Sequence, residues 1–281
     1  MNVILVCVDN FQEYILINIK QLIRLKHEHI FVITNTTFFE RFDEYKNQIT
    51  LVPSEDLIDH FYYNRGRCVD NKFRNGFWGL TSKRFFLIFS FIRRHNLSNV
   101  FHIENDVLLY YNCNILLPNI DTTTICVPAD SYNRSIASIM FIPNYVILGF
   151  FLKRYCRDFN DMVNLSLIQH QIPNLFSNFP ICSQVTSHSL EQNFVTKDFL
   201  KYKMIFDAAA IGQYLGGVDP RNTPGDTIGF INETSVIQYN MFDFKWLVEQ
   251  DNIRRPFITI NDNIIPIFNL HIDSKDLAKF I

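Results

Sequence analysis

The chain has 281 residues, a formal net charge of −2, 48% hydrophobic residues and 19% charged residues. That is enough apolar material for a full core, which excludes a disordered chain, and the length suits one large α/β domain. A nearly neutral charge offers no sequence-independent attraction to nucleic acid.

Residues 2–8 (NVILVCV) form a continuous apolar run, the pattern of a strand buried on both faces. The run lacks a basic start and meets Asp9, so it reads as a first strand rather than a signal peptide. Residues 11–26 carry Ile15, Ile19, Leu22 and Ile23 at helical spacing. Residues 29–34 and 49–52 then read as strands, giving a βαβ unit with a right-handed crossover. Residues 53–79 are irregular and include Arg65, Gly66, Arg67, Arg74 and Gly76. Thr81 is placed to cap a helix running to Arg94, and 100–103 is the next strand.

Further on, 125–127 and 136–142 read as strands around a turn at 131–135, and 144–165 as one helix. Residues 207–214 form a short helix closed by Gly216-Gly217. Brief strands follow at 257–260 and 267–270. No apolar run approaches the ~20 residues of a membrane span. The six cysteines (Cys7, Cys68, Cys113, Cys126, Cys156 and Cys182) are widely spaced and form no CxxC pair. They fit a reduced protein working in the cytoplasm rather than a disulfide scaffold or a zinc site.

Four constellations carry chemistry. The first is Glu104-Asn105-Asp106 at the end of the 100–103 strand. A strand puts residues i and i+2 on one side, so both carboxylates can aim at one point, a donor set suited to a hard divalent cation. Ligands of open α/β sheets also collect at the carboxyl ends of strands. The bland alternative is a solvated loop. The second is Thr81-Ser82-Lys83-Arg84, a cationic helix start that could meet an anion, or simply a surface cap. The third is the small-residue segment 206–220, with Asp207 at a helix start and Asp219 in a turn before Pro220; Glu233 follows as another carboxylate. The fourth is Asn269-Leu270-His271-Ile272-Asp273-Ser274-Lys275, a strand ending in a metal-capable His with a Lys four residues on.

This order of residues resembles the GT-A class of nucleotide-sugar-dependent glycosyltransferases. The acidic triplet resembles that family's DxD motif with Glu in first position, which keeps the carboxylate on a longer arm. The resemblance implies a Rossmann-like, mixed, mainly parallel sheet flanked by helices. It implies a single domain over 1–281, with 1–110 as the nucleotide-binding half and 111–281 as the donor-sugar and acceptor half. It implies metal-dependent transfer of a hexose or pentose from a nucleotide-diphosphate donor, UDP-sugar ahead of GDP-sugar, to a hydroxyl of a glycan or other acceptor.

By the same resemblance, Glu104, Asp106 and His271 hold Mn²⁺ or Mg²⁺, and Lys275 meets the diphosphate. Val8 and Asp9 meet the base, Asn105 the ribose or sugar, Arg84 and Lys83 the donor, and Ala137 and Ser138 line the sugar pocket. The His271–Lys275 spacing departs from that of one retaining group of the family, which also has Gly and Trp nearby. An inverting enzyme needs a carboxylate base, and Asp207, Asp219 and Glu233 are the candidates. A retaining one needs no dedicated base. Two other readings stand beside this one: a sugar nucleotidyltransferase, and a module that binds a nucleotide sugar or glycan without turnover. The first would want a Gly-rich basic loop after the first strand, where Asp9-Asn10-Phe11-Gln12-Glu13 stands instead.

Overall fold

β1 (Asn2–Cys7) lies between two parallel neighbours, β2 (His29–Thr34) and β4 (Ser98–Ile103), in a computed structural model that describes residues 1–63, 74, 76–183 and 190–281. The positions Arg65, Gly66, Arg67 and Cys68 lie outside the described residues. β3 (Thr50–Pro53) extends the parallel half beyond β2. On the other side, β8 (Ile139–Asn144) pairs antiparallel with β4, and β6 (Ile125–Ser131) antiparallel with β8. β7 (Arg134–Ser135) and β9 (Phe176–Phe179) both pair with β6. The strand order is β3-β2-β1-β4-β8-β6-β7, a mixed, mainly parallel sheet flanked by helices.

The alternation of β1 explains the two layers. Val3, Leu5 and Cys7 meet Ile15, Ile19 and Leu22 of α1 (Tyr14–Arg24) in one core. Ile4 and Val8 meet the Phe-rich α2 (Phe77–His95) and α3 (Tyr145–Leu152) in the other. Past the short helices α5 (Leu190–Thr196) and α6 (Phe199–Tyr202), a third cluster joins β5 (Val107–Leu109), α7 (Ile211–Gly216), β13 (Asn269–His271) and the small sheet β10-β11-β12 (Asp243–Val248, Arg254–Ile260, Asn263–Pro266). Among the described residues no helix is long and apolar enough to cross a membrane. Cys7, Cys113, Cys126 and Cys156 are free thiols.

Several element boundaries depart from the sequence expectation: the strand expected at 136–142 begins at Ile139, Arg134–Ser135 of the expected turn pair with β6, and three helices differ. α2 begins at Phe77, not Thr81, because Gly76 breaks the chain at φ +86 one turn earlier. Thr81 therefore sits inside the helix, where its hydroxyl donates to Trp78 O at 3.1 Å, and no anion-binding helix start exists at 81–84. The expected helix 144–165 is two helices, α3 and α4 (Asp161–Gln171). Asn160 caps α4 by accepting the Val163 N–H at 2.9 Å, and the Asn164 amide donates to the carbonyls of Cys156, Phe159 and Asn160. Local side-chain bonding thus outcompetes one continuous helix. α7 starts at Ile211 rather than Asp207.

Candidate active site

β4 alternates in the same way as β1. Phe101 and Ile103 enter the α1-side core, whereas Val100 enters the α2-side core and His102 meets Phe85 of α2. Glu104 continues the His102 side and so reaches Arg84 on α2. The triplet's backbone is fixed from behind by α1. Buried Asn18 donates its amide to Glu104 O (3.2 Å) and Asn105 O (3.1 Å). Asn105 itself turns inward, donating to Val6 O at 2.7 Å and to Gln12 Oε1. The chain then enters β5, which pairs antiparallel with β13 so that Val107 stands opposite His271. That pairing brings the late histidine to the carboxylates.

The ligand atoms of Glu104, Asp106 and His271 lie within 4.8 Å of one another. His271 Nε2 is 3.2 Å from Glu104 Oε2 and 3.5 Å from Asp106 Oδ1. The other oxygen of each carboxylate is also engaged, Glu104 Oε1 by Arg84 and Asp106 Oδ2 by Lys275. Arg84 in turn donates to Asp161 Oδ2 at 2.7 Å. Burial alone would raise the Glu104 pKa, but the Arg84 charge and His271 hold it well below the ordinary range. Burial likewise opposes protonation of His271, yet the Asp106 charge and Glu104 push it up to about 9. Two carboxylates and one imidazole form a donor set for Mn²⁺ or Mg²⁺. The 3.2 and 3.5 Å separations are near the ~3 Å edge of an octahedron with bonds of ~2.1 Å. The residues present therefore fit such an ion.

Asp207 is fully buried, and its carboxylate is a structural hub. Oδ1 accepts the N–H groups of Ala210 and Ile211, and Oδ2 those of Gly212 and His271, at 2.8–2.9 Å. These four bonds use all the lone-pair directions of a carboxylate. They tie the start of α7 to β13 at the point where His271 projects. Ala209, held at φ +59, is the strained residue of this turn.

Asp219 is buried at the cavity wall, where Arg221 binds it through Nη2 (2.6 Å) and Nε, and Arg74 through Nη1 (3.2 Å). Burial opposes ionisation, but the Arg221 hydrogen bonds hold its pKa down at about 2. Glu233 is exposed and is not among the residues lining the cavity. Val8 lines the cavity, while Asp9 turns outward at φ +63 to pair with Lys83 at 2.7 Å. Ala137 lines the cavity; Ser138 is fully buried behind it and donates to Asp207 O at 2.8 Å.

These groups surround a cavity of about 400 Å³. Sequence reasoning missed several of its residues: Gln12 before α1, Tyr14 at its first position, Trp78 on α2, Arg134 and Asp161. Arg134 is anchored on fully buried Asp130 at 2.8 Å. Only the third dimension joins these scattered positions. Asp161 alone left a signal, as an acidic residue directly after an N-cap asparagine.

No protein-family model matches the chain, and no curated protein matches it. Solved structures give distant likenesses. Mouse xyloside xylosyltransferase 1 aligns with a TM-score of 0.47 at 9% identity, over 72% of this chain and 92% of that one. The glycosyltransferase GlyE of Streptococcus pneumoniae aligns at 0.41 and 12% identity, over 63% of this chain but only 45% of its own. A cytidylyltransferase from Leptospira borgpetersenii aligns at 0.42 and 11% identity, over 71% and 84%.

Proposed function

We propose that the protein is a metal-dependent glycosyltransferase that moves a sugar from a nucleotide-diphosphate donor, a UDP-sugar ahead of a GDP-sugar, to a hydroxyl acceptor such as a glycan. The observation that carries this reading is the convergence of Glu104, Asp106 and His271 on one wall of the cavity, with Lys275 beside them. A divalent cation held there supplies charge neutralisation for a leaving diphosphate. Lys275 adds a second cation on the same side, and Arg84 fixes the aim of Glu104. Val8 and the end of β1 border the nucleotide, and Ala137 the donor sugar. In this reading residues 1–110 serve the nucleotide, and 111–281 the sugar and acceptor.

The bond broken joins the anomeric carbon to the diphosphate oxygen, and the bond formed joins that carbon to the acceptor oxygen. Of the candidate bases, Asp207 is saturated by backbone donors, Asp219 is clamped by arginines and Glu233 lies off the cavity. We therefore favour a retaining reaction, in which the departing diphosphate oxygen can take the acceptor proton. The loop Asp9–Glu13, neither Gly-rich nor basic, argues against nucleotidyl transfer.

The test is hydrolysis or transfer from a panel of UDP- and GDP-sugars with and without Mn²⁺. Activity that needs the ion and disappears in Asp106→Asn, at an unchanged melting temperature, supports the reading. Full activity in Asp106→Asn sinks it. Calorimetric binding of a nucleotide sugar without product, under any acceptor or metal, would instead favour a binding module.

A further inference from the structure

Arg84 and Lys275 each cover one carboxylate oxygen of the acidic pair, but they are anchored differently. Arg84 is buried and bridges Glu104 to Asp161, whose side chain is 5% exposed. It cannot leave without stranding a buried charge. Lys275 stands on a flexible four-carbon stem, 21% exposed, and has two carboxylates within reach. One is Asp106; the other is Asp273, with Oδ1 at 3.4 Å. Asp273 is itself held in place, its Oδ2 accepting the Asp219 N–H at 3.2 Å and the Gln213 amide at 3.4 Å. Lys275 thus has a prepared second seat on the cavity wall. Its own backbone is pinned in a tight turn at φ +66, with its N–H on Ile272 O at 3.0 Å.

We propose that Lys275 is a tethered counter-ion that couples the two ligands of this cavity. It rests on Asp106 while no diphosphate is present and shifts to the Asp273 side, where it meets the diphosphate, when a divalent cation takes Asp106. The inference rests on the metal and diphosphate reading above and adds a thermodynamic consequence. A cation seated on Asp106 opposes the entry of another. A diphosphate offers Lys275 a new partner and so relieves that opposition. Cation and nucleotide then bind better together than apart, and the coupling is reciprocal. A Lys275 that served only as a static ion pair would also tighten cation binding when removed, but nucleotide would then raise Mn²⁺ affinity by the same factor with and without it, so the loss of nucleotide coupling is the readout that marks a movable counter-ion.

The test measures Mn²⁺ affinity of the full chain by the EPR signal of free Mn²⁺, with no turnover involved. Without nucleotide, Lys275→Gln is expected to bind Mn²⁺ on the order of tenfold more tightly than the parent. Lys275→Arg, which keeps the charge, is expected to bind like the parent. UDP or GDP should tighten Mn²⁺ binding in the parent and do so less in Lys275→Gln. In Asp273→Asn, which weakens the second seat, nucleotide should tighten Mn²⁺ binding less while affinity without nucleotide stays near the parent value. Equal or weaker Mn²⁺ binding by folded Lys275→Gln overturns the proposal. If Asp106→Asn binds Mn²⁺ as the parent does, the metal-site reading itself falls and takes this one with it. If Asp106→Asn loses Mn²⁺ and Lys275→Gln is unchanged, only the counter-ion role is lost.

Discussion

Asp207 holds His271 by its backbone: Oδ2 accepts the His271 N–H at 2.9 Å while the same carboxylate gathers three N–H groups from the start of α7. This one side chain joins the helix that borders the cavity to the strand that carries the imidazole. Asp207→Asn turns one oxygen into an amide nitrogen facing N–H donors, leaving two of them unpaired in a buried place. A loss of about 3 kcal/mol is expected, read as a fall of roughly 6 °C in melting temperature. A weaker hold on Mn²⁺ should accompany it, because His271 shifts. If Asp207 were instead the base of the reaction, the variant would melt like the parent and lose only turnover.

Gly212 makes the same junction from the helix side. A Cβ there would lie 2.0 Å from His271 O and 2.6 Å from its carbonyl carbon, both backbone atoms that cannot swing aside. Gly212→Ala must push α7 away from β13, at about 2 kcal/mol or more. The expected outcome is a lower melting temperature together with weaker Mn²⁺ binding. By contrast, Ala209→Gly relieves a left-handed alanine and is expected to leave melting within about 1 kcal/mol of the parent.

How much of this was legible in the sequence depended on range. The strands near β1 read correctly because their apolar runs are continuous, and β2 matches residue for residue at His29–Thr34. The Glu104–Asp106 pair was visible because strand spacing alone puts the two on one side, and His271 was visible as a late metal-capable residue at a strand end. What failed was set by single local contacts. Gly76 moved the start of α2, and the Asn164 amide split the helix at 153–160. Between a helix cap and a base, the sequence left Asp207 open for a related reason. A helix-start aspartate looks the same in sequence whether it faces a ligand or four backbone N–H groups. Arg134 could not be read at all, since tertiary packing alone brings it to the cavity, and Asp161 showed only as an acidic residue after an N-cap.

His27 gives a prediction about pH that is separate from the cavity. Its Nδ1 lies 3.1 Å from Leu22 O and its Nε2 accepts the Cys113 N–H at 3.1 Å, so the neutral Nδ1–H tautomer satisfies both. Burial, with the N-terminal amine adding to it, pushes its pKa down to about 4. The unfolded chain takes up this proton near pH 6.5 and the folded one only near 4, so stability falls as the pH drops through that window. The loss amounts to about 3 kcal/mol for this group. His27→Gln, which keeps a donor and an acceptor but does not titrate, should flatten the pH 6.5 to 4 part of the stability curve by denaturant titration. An unchanged slope would show that His27 is not the group responsible.

The two cations beside the acidic pair should answer differently to removal. Arg84 links Glu104 to Asp161 by ion pairs, and the three side chains are 9%, 18% and 5% exposed. Arg84→Met keeps the length of the stem but leaves two carboxylates repelling each other in a poorly solvated place. Breaking a buried pair in this way costs about 3–5 kcal/mol, so the variant should melt roughly 6–10 °C lower. Adding Asp161→Asn to Arg84→Met removes one of the stranded charges and should restore part of that loss, a coupling a double-mutant cycle reads directly. Lys275 is more exposed, and one of its two partners, Asp273, keeps other hydrogen bonds without it. Lys275→Gln is therefore expected to lose less stability than Arg84→Met. Equal destabilisation by the two variants would remove the distinction between a fixed clamp at Arg84 and a movable cation at Lys275.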